Sequence, residues 1–331
     1  MTLMLERLKV ERMSLVRFGS EHVKKLALYS IGGNALSDPT KPKELQDNKV
    51  LKLVLNDVLD LLEAGFNVVL THGNGPQVGD LLLLEEKGSD SKRVRTDLST
   101  WVAATQGMIG HELSMELDSL LDMKSRPERT AVVLTRVLVD ENDLAFTKPT
   151  KPIGPILKDK SKIQKTWKIA ETEKGIRRVV ASPHPLKVLD IDLISKLVEL
   201  GAVVVCGGGG GIPIVIDETW KGMPSVIDKD RFSALLAISL DADVFITSTA
   251  VNQIEIGFGK KDSKKLSELE IKEAKEHLNS GEFPEGSMGP KVEAMISAVE
   301  KIKNCKVLLC SPGNALSTLR GESGTHIFSE N

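Results

Sequence analysis

Short apolar runs alternate with longer stretches of helical period along most of this chain. Residues 26–31 read Leu-Ala-Leu-Tyr-Ser-Ile and stop at Gly32-Gly33, the length and boundary of a buried strand. Over 50–64, Leu51, Val54, Leu55, Val58 and Leu62 fall at helical spacing, and Gly65 ends the segment. A strand over 67–70 follows and runs into Thr71-His72-Gly73-Asn74-Gly75-Pro76. Strand, helix, strand in that order predicts a parallel sheet covered by helices.

The alternation continues with a helix over 105–121, a strand over 131–139, a helix over 193–200 closed by Gly201, and a strand over 202–206 that opens into five glycines. A helix over 231–240, a strand over 244–247, a helix over 291–303 and a strand over 306–310 complete the pattern. No internal repeat interrupts it. Residues 146–177 break the rhythm with several prolines, many lysines and few periodic apolar positions. So long an irregular stretch in a compact domain predicts an excursion folded over the mouth of the sheet. The predicted fold class is α/β, with a largely parallel central sheet.

Composition narrows the partners. Of 331 residues, 44 are Lys or Arg and 46 Asp or Glu, a formal net charge of -2 that gives no reason to expect nucleic acid or an anionic membrane. No apolar run is long enough to span a bilayer, and residues 1–19 mix both signs of charge without an apolar signal core. The chain therefore reads as cytoplasmic, with a short amphipathic N-terminal extension. Cys206, Cys305 and Cys310 lack disulfide-framework or metal spacing, so buried strand thiols are expected.

The candidate chemistry gathers at the strand ends. Gly32-Gly33-Asn34, Gly73-Asn74-Gly75 and the glycines 207–211 each follow a predicted strand, where open α/β sheets bind ligands. Glycine there lets backbone N–H groups approach an anion closely, and a following helix N-terminus adds partial positive charge. The spacing is not that of a P-loop, and no acidic residue sits where a dinucleotide fingerprint needs one. Lys229, beside Asp228, and Lys291, after Gly286-Ser287-Met288-Gly289-Pro290, both stand at helix starts, a placement the helix dipole disfavours for a cation. Phosphoryl transfer asks for such cations at the migrating group. Lys151, stiffened by Pro149 and Pro152, is the third candidate. His72 and His184, beside motif-like turns, read as hydrogen-bonded structural histidines.

Taken together, these segments resemble the amino-acid kinase superfamily and, within it, the carbamate kinases. The resemblance rests on 31–36 (Ile-Gly-Gly-Asn-Ala-Leu), 71–79, 104–110, 138–140, 145–155 with its Pro-Thr-Lys-Pro-Ile-Gly, 177–185, 208–213, 226–230, 258–260, 283–291 and 324–325. It runs in order from about residue 26 to 327, leaving the extension 1–24 uncovered. The pairing of Pro-Thr-Lys-Pro-Ile-Gly with Gly-Ser-Met-Gly-Pro-Lys is its most specific part.

What the resemblance implies is an open αβα sandwich with a small protruding subdomain at about 146–177. An acceptor-binding part over 25–200 and a nucleotide-binding part over 201–331 complete the implied organisation. It implies ATP or ADP, Mg²⁺ with no protein side chain assigned to the metal, and a homodimer. The implied reaction is reversible transfer between ATP and carbamate, giving ADP and carbamoyl phosphate, within arginine breakdown. Position by position, Lys229 and Lys291 would stabilise the migrating phosphoryl group, Asp228 would orient them, and Lys151 would reach in from the subdomain. Gly32, Gly33, Asn34, Gly73, Asn74 and Gly75 would hold the carbamate end, and Gly209 and Gly210 would meet the nucleotide phosphates.

The chain departs from the family pattern at Ala250, where an aspartate is usual, at Ile156-Leu157 after Gly154-Pro155, and at Glu322, where a lysine is usual. A kinase of another small carboxylate or carbamoyl-like acid, and a weakly catalytic nucleotide- or carbamoyl-phosphate-binding regulatory protein, are the alternative readings.

Overall fold

The computed structural model describes residues 24–32, 49–88, 96–157, 167–172, 175–260, 262–284 and 286–330. Gly33, Asn34 and the extension up to residue 23 lie outside the described residues. β1 (Leu26–Ile31) leads through α1 (Lys49–Glu63) to β2 (Asn67–His72), then α2 (Gly75–Gly88) and α3 (Leu98–Met123) lead to β3 (Thr130–Val133) and β4 (Arg136–Leu138). Next come β5 (Lys151–Ile153), β6 (Lys168–Thr172), β7 (Gly175–Val180), β8 (Lys187–Val188), α4 (Ile191–Glu199), β9 (Val203–Cys206), β10 (Ile212–Ile216) and β11 (Trp220–Gly222). The remaining elements are α5 (Lys229–Ser239), β12 (Val244–Ser248), β13 (Ile254–Ile256), β14 (Lys264–Leu266), β15 (Glu268–Glu270), α6 (Ile271–Asn279), α7 (Met288–Lys301), β16 (Lys306–Cys310), α8 (Ala315–Leu319) and β17 (Thr325–Phe328).

Eight strands form the main sheet in the order β15-β17-β16-β12-β1-β2-β9-β3. β16, β12, β1, β2, β9 and β3 run parallel, whereas β17 is antiparallel to β16 and carries β15 with it. The central strands are buried on both faces, which is why β1 and β12 read as unbroken apolar runs rather than alternating ones. Successive residues nevertheless go to opposite layers. Leu28, Val69, Val204 and Phe245 pack with Phe232 of α5 and Met295 of α7, while Tyr29, Leu70, Val205 and Ile246 pack with α1 and α3. Leu113, Leu117 and Leu121 of α3 are completely enclosed, so truncating one to alanine costs about 2–5 kcal/mol. The architecture is the expected αβα sandwich.

Two departures from the periodicity have physical causes. The run 131–139 is two strands, because Thr135 leaves the sheet to take other partners: its N–H donates to Gln106 Oε1 (2.8 Å) and its Oγ1 accepts from Gly207 N (2.9 Å). Beyond it, β4 joins a second sheet of order β11-β10-β4-β8. Helix α3 begins at Leu98, well before its clearest apolar positions. The excursion contains β5, β6 and β7, an antiparallel sheet of order β5-β7-β6. Of the cysteines, Cys206 and Cys310 are buried in strands, while Cys305 precedes β16 and is half-buried.

Candidate active site

The sheet reverses its direction of growth between β1 and β12: α1 carries the chain from β1 to β2 on one side, and β12 arrives on the other. A crevice beyond the carboxyl ends of strands opens at such a point. Lys229, the first residue of α5, turns its ammonium back to the end of β1, donating to Ser30 Oγ (2.9 Å) and to the Ile31 carbonyl (3.2 Å). Ser233, one turn further along α5, ties that helix to both strands, with its Oγ 3.1 Å from Ser30 Oγ and 2.7 Å from Thr71 Oγ1.

Asp230 is the hub of the cluster. Its Oδ1 lies 2.9 Å from Lys229 Nζ and its Oδ2 2.8 Å from Lys291 Nζ, so one carboxylate spaces two ammonium groups from different helices. Burial alone would raise the Asp230 carboxyl pKa, but the charges of Lys229 and Lys291 overcome it and hold the group well below the usual carboxylate range. Burial lowers the Lys229 ammonium, and Asp230 is the main influence opposing that loss. Asp228, expected to orient these lysines, makes its direct contacts elsewhere and acts on Lys229 only through its charge. Asp228 Oδ1 instead caps α5 by accepting from Asp230 N (2.9 Å) and Arg231 N (3.3 Å), while its Oδ2 receives Lys151 Nζ at 2.5 Å. Against the cost of burial, Lys151 pulls the Asp228 pKa down.

Lys151 arrives from the small sheet, and a contact between glycines fixes its approach. A Cβ on Gly79 of α2 would lie 2.0 Å from the Gly154 Cα, so helix and arm touch backbone to backbone. Gly154 N donates to the Gly75 carbonyl (3.2 Å), and Arg177 Nη2 donates to the Gly154 carbonyl (2.6 Å). Further out, Arg178 Nη1 and Trp167 Nε1 both donate to Glu86 Oε1 of α2, at 2.9 and 3.1 Å.

The glycines after β9, expected at the nucleotide phosphates, pack beside Asn74. Residues 208–210 form a buried turn, and a Cβ on Gly209, whose φ is +63°, would fall 2.1 Å from the Asn74 amide. Asn74 itself is buried and donates to Thr105 Oγ1 (2.9 Å), and Gln106 Nε2 donates to the Gly208 carbonyl (3.0 Å). Gly209 and Gly210 therefore pack on the Asn74 and Ile227 side of the crevice. Gly73, between β2 and Asn74, accepts from His72, whose Nδ1 is 3.0 Å from the Gly73 carbonyl; burial, with Lys229 nearby, lowers the imidazole to about 4.

A cavity of about 700 Å³ opens on the other side, away from those glycines. Gly32, Ser248, Ala250 and Lys291 contribute to its wall, as do Phe258 and residues 282–288 except 285. Its size suits a nucleotide. The structure thus brings two neighbouring sets of ion pairs together, Lys151–Asp228 and Lys229–Asp230–Lys291, with Gly32 on one side and Asn74 on the other. The sequence reading missed Asp230, whose placement in the first turn of a helix is also the ordinary site of an acidic residue. It also missed most of the cavity wall, which comes from irregular segments without periodicity. Among the described residues no three His, Cys, Asp or Glu side chains converge as a metal cage, and the Asp228 and Asp230 oxygens are already engaged by lysines and helix amides. No helix of the described residues is long and apolar enough to cross a membrane.

Residues 25–311 match the model of the amino acid kinase family. Carbamate kinase-like protein YahI of Escherichia coli (strain K12) is 36% identical over 316 residues, covering 92% of this chain and 99% of that protein. Carbamate kinase 2 of Staphylococcus aureus (strain bovine RF122 / ET3-1) is 35% identical over 312 residues, covering 92% and 99%. The solved carbamate kinase from Giardia lamblia bound to citric acid superposes with a TM-score of 0.85 at 32% identity, covering 93% of this chain and 99% of that one. The same enzyme bound to AMP-PNP gives 0.83 at 31% identity, with the same coverage. The chain belongs to the amino acid kinase family, in its carbamate kinase branch.

Proposed function

We propose that this chain is a carbamate kinase, moving a phosphoryl group reversibly between ADP and carbamoyl phosphate to give ATP and carbamate. The observation that carries the reading is the linked set Lys151–Asp228 and Lys229–Asp230–Lys291, set at the switch point of the sheet beside a nucleotide-sized cavity. Towards ATP, a terminal oxygen of ADP forms a bond to phosphorus as the bond from phosphorus to the carbamoyl oxygen breaks, and carbamate leaves as an anion. Charge spreads over the three equatorial oxygens, so fixed cations supply most of the help.

Lys229 and Lys291 meet those oxygens from the two sides, spaced by Asp230. Lys151 binds the carbamoyl phosphate end, held ready by Asp228. We assign Gly32, Gly33, Asn34, Gly73, Asn74 and Gly75 to the carbamate end, which Gly209 and Gly210 border through Asn74 and Ile227. Mg²⁺ would be carried on the nucleotide phosphates and would supply charge neutralisation there. On this reading 25–200 serves the acceptor, with the arm at 146–177, and 201–331 serves the nucleotide. A homodimer is supported by Met108 and Met115, both exposed and seven residues apart on α3, beside exposed Val132 and Leu134 at the outer strand β3. The reaction belongs in the cytoplasm, where carbamoyl phosphate from arginine breakdown would meet ADP.

The test is ATP formation from ADP, Mg²⁺ and carbamoyl phosphate, with Lys229→Ala as control. Rapid ATP formation, lost in a variant that still binds nucleotide, is the expected result. A folded protein that binds nucleotide and makes no ATP would move the reading to another small acid as acceptor.

A further inference from the structure

The wall of the large cavity carries one charged side chain that the protein leaves unused. Lys291 is committed to Asp230, and Glu282 accepts from Gly257 N at 2.5 Å. Glu255, on β13, also lines the cavity and is only partly exposed, yet it makes no hydrogen bond or ion pair among the described residues. Its cross-strand neighbour Lys265 is exposed and does not pair with it. Around it the wall is mainly apolar, with Val251, Phe258, Phe283 and Pro284, and Ala250 offers no side-chain acceptor.

A carboxylate in a nucleotide cavity cannot serve the phosphates, which it repels. Glu255 also stands apart from the lysine cluster, since no ion pair joins them. Within a nucleotide that leaves the nucleoside as the part for it to bind. Phe258, three residues on, lines the same cavity with 71% of its surface exposed and offers a face on which a base can stack. An ionised carboxylate only accepts hydrogen bonds. The Watson–Crick edge of guanine presents two adjacent donors, N1–H and the 2-amino group, which match the two carboxylate oxygens. Adenine presents its 6-amino group alone and turns the N1 lone pair towards the carboxylate. Paired charge-assisted hydrogen bonds are the stronger arrangement.

We propose that Glu255 is a specificity-determining residue that opens this cavity to guanine nucleotides, so that GDP and GTP serve at least as well as ADP and ATP. The inference rests on reading the cavity as the nucleotide site. The experiment compares kcat/KM for GDP and ADP, with carbamoyl phosphate as donor, in the wild type, Glu255→Gln and Glu255→Ala. Calorimetric titration of GDP and ADP into the same proteins gives a binding ratio that needs no turnover.

The expected wild-type GDP:ADP ratio is near or above one, falling about tenfold or more in both variants. A wild type that uses GDP about a hundredfold less well than ADP would overturn the proposal. So would variants that weaken both nucleotides equally, because the carboxylate would then be serving the ribose. Absent turnover with a Glu255-dependent binding ratio would reject phosphoryl transfer to carbamate and keep this inference. Binding of neither nucleotide would reject both.

Discussion

Lys291 Nζ lies 2.8 Å from Asp230 Oδ2, across the boundary between α7 and α5, while the other oxygen of the same carboxylate holds Lys229. Two ammonium groups this close repel each other; Asp230 stands between them and is the main influence that offsets the lowering of the buried Lys229 pKa.

Asp230→Asn keeps the shape of this hub and removes its charge. Lys229 then keeps the burial that lowers its pKa and loses its main compensation. The expected result is a fall in kcat of about two to three orders of magnitude, with an alkaline limb of the pH–rate profile displaced to lower pH. A variant whose activity falls with an unmoved alkaline limb would separate Asp230 from the ionisation of Lys229.

Gly79→Ala tests the arm without touching any charged residue. The new methyl group meets the Gly154 backbone at 2.0 Å, where no flexible side chain can give way. The strand carrying Lys151 must move, which loosens its pair with Asp228. The expected outcome is a kcat reduced by about tenfold to a hundredfold, with ADP affinity near wild type, read from steady-state kinetics and nucleotide titration. Unchanged kcat in a folded variant would show that Lys151 does not depend on this contact.

Much of this arrangement was legible before any coordinates. Strands such as β1 and β12 sit in the middle of a parallel sheet, so their unbroken apolar runs announced them, and the glycines at 32, 73 and 75 marked strand ends. Lys229 and Lys291 stood out because a cation at a helix start opposes the dipole. The strands β5 to β7 were hidden, since their lysines, arginines and single prolines give no period-2 alternation. Gly209 was legible as a special backbone position but not as a packing partner of Asn74, because that contact joins residues far apart in sequence. The choice between Asp228 and Asp230 was equally closed to sequence: both flank Lys229, and only the direction of α5 decides which faces Lys291.

Lys151→Met removes the ammonium while keeping much of the side-chain bulk. Asp228 is mostly buried, and Lys151 is the strongest influence holding its pKa down. The carboxyl pKa should rise in the variant, since burial then acts with less opposition. The functional expectation is a KM for carbamoyl phosphate raised about tenfold or more, with the KM for ADP changed little. Equal changes in both constants would place Lys151 outside the acceptor end.

His72 ties stability to acid. Its ring is completely buried beside the glycine turn, where a Cβ on Gly208 would meet it at 2.3 Å, and burial lowers its pKa from 6.5 to about 4. Between those values the unfolded chain binds a proton that the folded chain refuses, so stability rises with pH there. The neutral-imidazole contribution is complete above about pH 6.5 and is lost as the pH falls towards 4, reaching about 2 kcal/mol at pH 5. His72→Gln has no proton to take up and should lack this part of the acid sensitivity. Urea unfolding of both proteins at pH 7.5 and pH 5 provides the comparison. The variant is expected to be less stable at pH 7.5, because it loses the packing against Gly208, and to lose less on acidification than the wild type. Parallel losses in the two proteins would mean that the acid sensitivity resides in other groups and that the buried ring titrates near its ordinary value.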